Sequence, residues 1–460
     1  MPELHIFGNH FFTQRAFATV ARFRYIVMIS IEQLYKIYLQ HPQVQTDTRL
    51  LQSGDIFFAL KGPNFNGNTF APKALELGAA YAVVDEKPKE KNDRLLLVGD
   101  VLTTLQDLAL HHRKQFDIPF VAITGSNGKT TTKELIYAVL AAEYTTYTTK
   151  GNLNNHIGVP LTILSVRRDA EFAVIEMGAN HQKEIAGYCR YALPTHGIIT
   201  NIGRAHLEGF GGPEGVKKGK GELYDHLRDH NGAAFVLRDS DDLRQMSRGI
   251  PHIITYGTHD ADYTGRVAAS GADASFLNAE IIHGANTGVI HTQLVGDYNL
   301  PNILVAVAVG KHFGVSDGKI RMAIERYTPS NSRSQLIQKD GNHIILDAYN
   351  ANPSSMRAAI ENFAKLTGAN YDHKVLILGA MAELGPESLN EHEGIVQLID
   401  QYPWRAVVLV GGDFLKLHHK YKSFPNSKEA AGWFKMANIK DTWLLIKGSR
   451  SSKMEEVLAP

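Results

Sequence analysis

The chain has 460 residues, 44% of them hydrophobic, and its 48 Lys and Arg against 47 Asp and Glu leave a net charge of +1. That length exceeds one compact core and points to two or three domains of a soluble globular protein. The near-zero charge excludes a global field for nucleic acid or an anionic membrane. The single cysteine, Cys189, excludes an intrachain disulfide framework and fits a reducing cytoplasm, and no apolar run approaches the ~18 residues of a membrane span.

Residues 1–27 mix aromatics and arginines without the apolar core and cleavage site of a signal peptide. A regular helical pattern begins only at "SIEQLYKIYL", with Ser30 as N-cap. Residues 1–29 are therefore expected to be an extension, with Met28 as an alternative start. In 30–118, "GDIFFAL" predicts a strand, "KGPNFNGN" a turn, and "TFAPKALELGAAYAVVDE" a helix and a strand. From Val121 apolar strands alternate with amphipathic helices: "VAITG", "FAVIEMG" and "GIITNIG" read as a parallel, helix-flanked sheet. The polar, glycine-rich stretch 256–296 predicts an irregular β-rich annex, and "NLPNILVAVAVGKHFG" a closing helix. After the link "YTPSNSRSQ", "HIILDAYN", "VLILG", "AVVLVGG" and "WLLIKGS" predict a third sheet. The expected fold is α/β with three domains. These are a smaller α/β domain (30–118), a P-loop-type parallel-sheet ATPase domain (119–327) and a Rossmann-like domain (328–460).

The chemically capable residues sit where these strands end. Glu176 follows "FAVI", Asn201 follows "GIIT", Asp347 follows "HIIL" and Lys447 follows "WLLI". In open parallel sheets ligands bind in the crevice beyond those ends. The stretch "TGSNGKT" between strand and helix predicts a phosphate loop. Gly125 and Gly128 free the backbone, with Ser126 and Asn127 between them. Lys129 supplies charge to the phosphates, and the hydroxyls of Thr130 and Thr131 open the helix, that of Thr130 suiting Mg²⁺. Ile123 stands where the first glycine of the usual G-x-x-x-x-G-K-[ST] pattern would be. The bland alternative, a glycine turn with a surface lysine, does not account for a strand before it and a helix after it.

"TGSNGKTTTKE" resembles the ATP loop of the muramyl-peptide (Mur) ligases, the amide-forming enzymes of peptidoglycan precursor synthesis. "GNLNNHIGVPLTIL", "IEMGANHQKEI", "TNIGRAHLEGFGGPEGVKKGKGEL", "GDYNLPNILVAVAVG", "LDAYNANPSSM", "LGAMAELGPES" and "IKGSRSSKMEEV" follow in family order, and "TDTRLLQSGDIFFALKGPNFNGNTF" resembles the uridine-nucleotide domain. The resemblance covers about 30–460. "EMGAN", "AHLEGFG", "DAYNANP", "MAELG" and "KGSRS" resemble in particular the branch that joins D-alanyl-D-alanine to the UDP-N-acetylmuramoyl-tripeptide, and the D-N-P-R signature of the diaminopimelate-adding branch is absent.

The resemblance implies a cytoplasmic, monomeric ligase that uses ATP to phosphorylate the tripeptide carboxylate. The dipeptide amine then attacks the acyl phosphate, giving the pentapeptide precursor, ADP and phosphate. Bringing one anion to another needs cations and positioning. Two Mg²⁺ sites are implied, held by Thr130, Glu176, His206 and Lys220. Lys220, of the K-G-E block, would carry CO₂ as a carbamate, which turns a cation into an oxygen ligand and requires a neutral amine. The neighbouring Lys217 and Lys218 read as a solvated helix start. Lys129, Glu176, His206 and Lys220 form the implied catalytic set.

For ATP, the resemblance makes Asn302 the adenine contact; Asn299 reads instead as a helix N-cap, and Arg333 suits phosphate and Asp347 ribose hydroxyls or the linker. For the UDP-sugar it implies Asp47, Thr48 and Arg49, then Lys61, Gly62, Asn66 and Gly67. For the peptide and the dipeptide, Asn154 and Asn155 come from the central domain. Asn350, Asn352, Ser355, Lys447, Ser449 and Arg450 come from the third. Tyr298, Asn66, His156 and Ala380 depart from residues frequent in the family. Rival readings are another amino-acid ligase of this family, a UDP-sugar binding module and a P-loop NTPase switch, which would need a strict Walker loop. The third residue of the acceptor peptide, diaminopimelate or lysine, is left open.

Overall fold

The computed structural model describes residues 28–87, 92–268, 276–330, 332–366 and 373–459. The expected N-terminal extension thus lies almost wholly outside the described residues. The first helix, Ile31–Gln40, starts as the sequence predicts. Ser30 Oγ accepts from the Gln33 amide at 3.3 Å while Gln33 Oε1 accepts from the Ser30 amide at 3.1 Å. This reciprocal box satisfies two amides that no helical bond can reach.

Three main sheets follow one another along the chain. The first is parallel and runs Val44–Gln45, Ile56–Phe58, Tyr81–Val84, Leu95–Leu97. Beside it, Lys61–Gly62 and Phe65–Asn66 form a small hairpin. The second sheet has nine strands, in the order Val289–His291, Asn278–His283, Tyr263–Val267, His252–Gly257, Ala233–Leu237, His196–Ile199, Phe120–Thr124, Phe172–Glu176, Thr146–Thr148. Only the pairings that involve Asn278–His283 are antiparallel. The described part of the stretch 256–296 is irregular and β-rich, as its composition suggests, and its strands continue this sheet. Its strands are half exposed, and Thr264 and Gly265 interrupt the register.

Phe120–Thr124 and Phe172–Glu176 are buried at every position, as strands covered on both faces must be. Helix Lys129–Ala141 packs on both strands, and helix Leu300–His312, in which Leu300 and every residue from Asn302 to Gly310 are buried, packs between that helix and the strands from Ala233–Leu237 to Asn278–His283. An all-round apolar sequence such as "ILVAVAVG" suits that place, and each buried Ile, Leu or Val contributes roughly 1.5–3 kcal/mol. The third sheet runs Gln335–Lys339, Asn342–Asp347, Trp443–Lys447, Lys374–Gly379, Ala406–Val410, Lys422–Phe424, parallel except for the first pair.

Buried histidines tie the first region to the second. His112 Nε2–H donates to the Val166 carbonyl at 2.9 Å, and Tyr35 Oη lies 3.1 Å from its Nδ1. Burial pushes the imidazole pKa down to about 4, against the slight pull of the Val166 carbonyl. The unfolded chain therefore binds the proton more readily than the folded one between about pH 6.5 and 4. Stability present above pH 6.5 is expected to fall across that window, by on the order of 1–3 kcal/mol for His112 alone. His196 and His226, pushed down to about 4 by the same burial, act in the same sense. Urea unfolding at pH 7.5 and pH 5 checks this, and His112→Gln should flatten the slope.

Candidate active site

The loop 125–128 joins Phe120–Thr124 to helix Lys129–Ala141. Gly125 and Gly128 take φ of 139° and 79°, and a Cβ would come within 2.0 Å of Thr200 Oγ1 at the first and 2.9 Å of Asn302 Oδ1 at the second. Both positions thus require glycine for conformation and for space. The neighbouring strand end holds the loop in place. The Ser126 amide donates to the Asn201 carbonyl, the Asn127 amide to Asn201 Oδ1, and Thr200 Oγ1 to the Asn127 carbonyl at 2.6 Å. Helix Lys129–Ala141 leaves its first-turn amides without helical partners, facing the cavity mouth. Lys129 Nζ bonds the carbonyls of Gly125 and Ser126 at 2.8 and 3.1 Å. Burial pushes its pKa down to about 8, with Glu176 opposing and Arg333 adding to the shift.

A cavity of about 590 Å³ opens beyond this loop, where the second and third sheets point their strand ends at each other. Residues 126–131, Asn154, Asn155, Glu176, His206, Asn302, Arg333, Asp347, Asn350, Asn352, Ser355 and Lys447 all line it. Glu176, Asp347 and Lys447 are the last residues of their strands, and Asn201 lies two past the end of His196–Ile199. The strand-end pattern read from the sequence is thus a single wall.

Glu176 is buried. Its Oε1 accepts from Thr130 Oγ1 at 3.1 Å and from Asn154 Nδ2 at 2.7 Å, whereas its Oε2 is buried with no partner. An orphaned carboxylate oxygen beside a threonine hydroxyl fits a Mg²⁺ that takes its other ligands from water and phosphate. Among the described residues no group of three or more His, Cys, Asp or Glu is placed to hold a metal.

His206 takes φ 54° and Glu383, on the 381–385 loop of the third region, takes φ 61°. Left-handed backbone costs a non-glycine residue roughly 1–2 kcal/mol. The two residues meet, His206 Nδ1 pairing with Glu383 Oε2, and the bond to His206 holds the Glu383 carboxyl below its usual range.

Lys220 does not line the cavity. Its amine is buried, donates to the carbonyl of the wall residue Ala179 at 2.9 Å, and lies 4.9 Å from the centre of the Phe210 ring. Burial, and next the Lys129 cation, hold its pKa well below the ordinary lysine value. A neutral amine is what carbamylation requires. Glu222 of the same block instead caps helix Glu184–Ala192, accepting from the amides of Lys183 and Ala186. Lys218 is exposed, as read from the sequence, whereas Lys217 is half-buried and pairs with Asp242.

Several of these side chains also have partners within the protein. Asn302 spends its amide on Thr132 Oγ1 and Asn299 Oδ1, bracing the helix behind the loop. Asn299 holds the cap position, but its amide donates to the Val295 carbonyl and caps nothing. Asp347 Oδ2 pairs with Lys447 Nζ at 2.6 Å, so both charges are engaged. Arg333 stacks on Tyr349 at 3.5 Å from the ring centre. Asn352 and Ser355 form the capping box of helix Pro353–Lys365, and Asn352 Nδ2 also donates to Asn127 Oδ1 at 2.7 Å, tying the third region to the phosphate loop. Asn155 turns back to cap Gly158.

Ser449 and Arg450 do not join the cavity. After Lys447 the chain coils into the turn Arg450–Ser452, where Ser449 Oγ donates to the Ala380 carbonyl and Arg450 pairs with Glu455. The residues of the first region also lie off this wall. Asp47 pairs with exposed Arg49, Thr48 is half-buried between them, and Lys61 reaches Asp85 at 2.9 Å. Asn66 caps the turn Gly67–Phe70, Gly67 is packed so that a Cβ would fall 2.2 Å from the Leu60 carbonyl, and a Cβ at Gly62 would strike the Phe65 ring. Sequence reasoning named Tyr298 only as a departure from the family and did not select Tyr349 or Glu383, which the quoted "DAYNANP" and "MAELG" blocks contain.

Comparison with known proteins agrees with this layout. Three family models match in chain order: "Mur ligase family, catalytic domain" over 42–113, "Mur ligase middle domain" over 123–310 and "Mur ligase, glutamate ligase domain" over 332–450. The UDP-N-acetylmuramoyl-tripeptide–D-alanyl-D-alanine ligase of Bacillus subtilis (strain 168) is 34% identical over 450 residues, 93% of this chain and 96% of that protein. The chain belongs to the Mur ligase family. The Escherichia coli (strain K12) ligase of the same name is also 34% identical, covering 90% of this chain and 92% of its own. Among solved Mur ligases, MurF from Acinetobacter baumannii superposes with a TM-score of 0.80 at 32% identity, covering 91% of this chain and 92% of that one. MurF ligase from Thermotoga maritima, solved in complex with ADP, gives 0.80 at 28% identity, covering 91% and 97%. Among the described residues no helix is long and apolar enough to cross a membrane.

Proposed function

We propose that this Mur ligase joins D-alanyl-D-alanine to the UDP-N-acetylmuramoyl-tripeptide at the expense of ATP, through an acyl phosphate, releasing ADP and phosphate. The observation that carries the reading is one cavity in which a phosphate loop, an orphaned carboxylate and strand ends of two sheets, the cationic Lys447 among them, converge. The names of the 34%-identical relatives supply the substrates.

Each residue then has a task. The loop amides and Lys129 hold the phosphates, drawing the lysine off its own carbonyls. Glu176 and Thr130 would hold Mg²⁺, which neutralises charge between nucleotide and carboxylate. His206 and a carbamylated Lys220 would hold a second ion. Arg333, stacked on Tyr349, presents its guanidinium to phosphate, and Asp347 trades Lys447 for a ribose or leaves it to meet a carboxylate. Asn154, Asn155, Asn350, Asn352 and Ser355 would face the peptides. The sheet of 44–97, with Asp47, Thr48, Arg49, Lys61, Gly62, Asn66 and Gly67, would take the UDP end. Ser449 and Arg450 would act only if the final turn moves. We assign the domains as 30–118, 119–327 and 328–460, and the cytoplasm as the place where such precursors are met.

Phosphate release tests the reading. With MgATP and the UDP-N-acetylmuramoyl-tripeptide, D-alanyl-D-alanine is expected to raise the rate at least tenfold, while single amino acids leave it at background. Stimulation by a single amino acid alone would move the chain to another branch of the family. Release independent of both acceptors would favour an NTPase.

A further inference from the structure

The 381–385 loop belongs to the third sheet's region, yet its carboxylate reaches a residue of the second. Glu383 Oε2 pairs with His206 Nδ1, and the Glu208 amide approaches the Glu383 carbonyl. Behind the loop, fully buried His392 fixes its base, accepting from the Met381 amide on Nε2 at 3.0 Å and donating from Nδ1 to the Ser388 carbonyl at 2.7 Å. Both contact residues hold left-handed backbone. Such strain persists only where surroundings over-determine it. With Nδ1–H donating to the carboxylate, Nε2 is the ring nitrogen left to meet a ligand in the cavity that His206 lines. A carboxylate on the far nitrogen of an imidazole fixes the tautomer and raises the basicity of the near one.

We propose that Glu383 is a positioning residue for His206, so that the His206 side of the active site is complete only when the third region lies against the second. The inference rests on the reading of the cavity as a MgATP-dependent ligase site. It adds a link between metal affinity and the approach of the third region, carried by one carboxylate.

The test uses the full chain with Mn²⁺ as probe. Glu383→Ala is expected to weaken Mn²⁺ binding to the ADP complex, followed by electron paramagnetic resonance, by about tenfold or more. The kcat should fall by a similar factor, with KM for the UDP-substrate within about twofold. Glu383→Gln, whose amide oxygen still accepts from Nδ1–H, should lie between the two. Glu383→Gly relaxes the left-handed backbone, so it should bind Mn²⁺ as weakly as the alanine variant. Nitrogen-15 NMR of labelled histidine should show His206 with its proton on Nδ1 in the parent and mixed tautomers in Glu383→Ala. Unchanged Mn²⁺ affinity and tautomer in Glu383→Ala overturn the proposal, as does parental Mn²⁺ affinity in Glu383→Gly. If the parent ligates no dipeptide while the Mn²⁺ and tautomer pattern holds, the assigned reaction fails and the role of Glu383 stands.

Discussion

Replacing Glu176 with glutamine is expected to lower turnover on the order of a hundred- to a thousandfold while leaving the ligand-free protein as stable as the parent or more so. The two effects share one cause. Oε2 is a buried oxygen with no partner, which costs the empty fold and serves it only when a cation arrives. A glutamine oxygen still accepts from Thr130 and Asn154, so the wall keeps its shape. The amide that replaces Oε2 is neutral and is cheaper to bury than a charge, by roughly 1 kcal/mol or more. Paired measurements decide it: steady-state turnover, and urea unfolding without ligands. A variant that is both slow and markedly less stable would mean that Glu176 is a structural strut.

Lys220→Ala should cost at least about a hundredfold in turnover, and millimolar short carboxylates should restore part of it. The alanine leaves a space where a formate- or acetate-sized anion can stand for the carbamate. Lys220→Met provides the control. Its thioether fills the volume beside Phe210, so folding is kept, but no carboxylate can enter. The methionine variant is expected to be inactive and beyond rescue. Full activity of Lys220→Ala without any supplement, or equal rescue of both variants, would count against the carbamate.

Much of this arrangement is legible in the residues. The loop at Gly125 and Gly128, the apolar runs around Phe120 and Phe172, and the polar residues at the strand ends that line the cavity all carry local signals of period or composition. The 256–296 stretch is different. Its strands lie toward the edge, half exposed and rich in glycine and polar residues, so pairing with neighbours decides them rather than their own pattern. Asn302 is ambiguous for another reason: an amide can face a ligand, brace a helix or do both, and its neighbours Thr132 and Asn299 come from other stretches of the chain or from its own helix start. The His206–Glu383 pair spans 177 positions, and the Asn127–Asn352 bond 225. No local signature announces a contact between separate sheets.

The strand order of the third sheet bears on how the protein is made. Trp443–Lys447 is the last of its strands in the chain yet lies between Asn342–Asp347 and Lys374–Gly379. A nascent chain emerging from the ribosome as far as residue 424 holds a hairpin on one side and three strands on the other, with nothing to join them. Insertion of the final strand closes the sheet through pairings 100 residues apart with Asn342–Asp347 and 69 apart with Lys374–Gly379, a slow, non-local step. That same insertion delivers Lys447 to Asp347 at the cavity wall. Closure of the sheet and completion of the cavity wall are thereby one event, and a chain halted short of residue 443 would expose two unpaired sheet edges to chaperones and proteases.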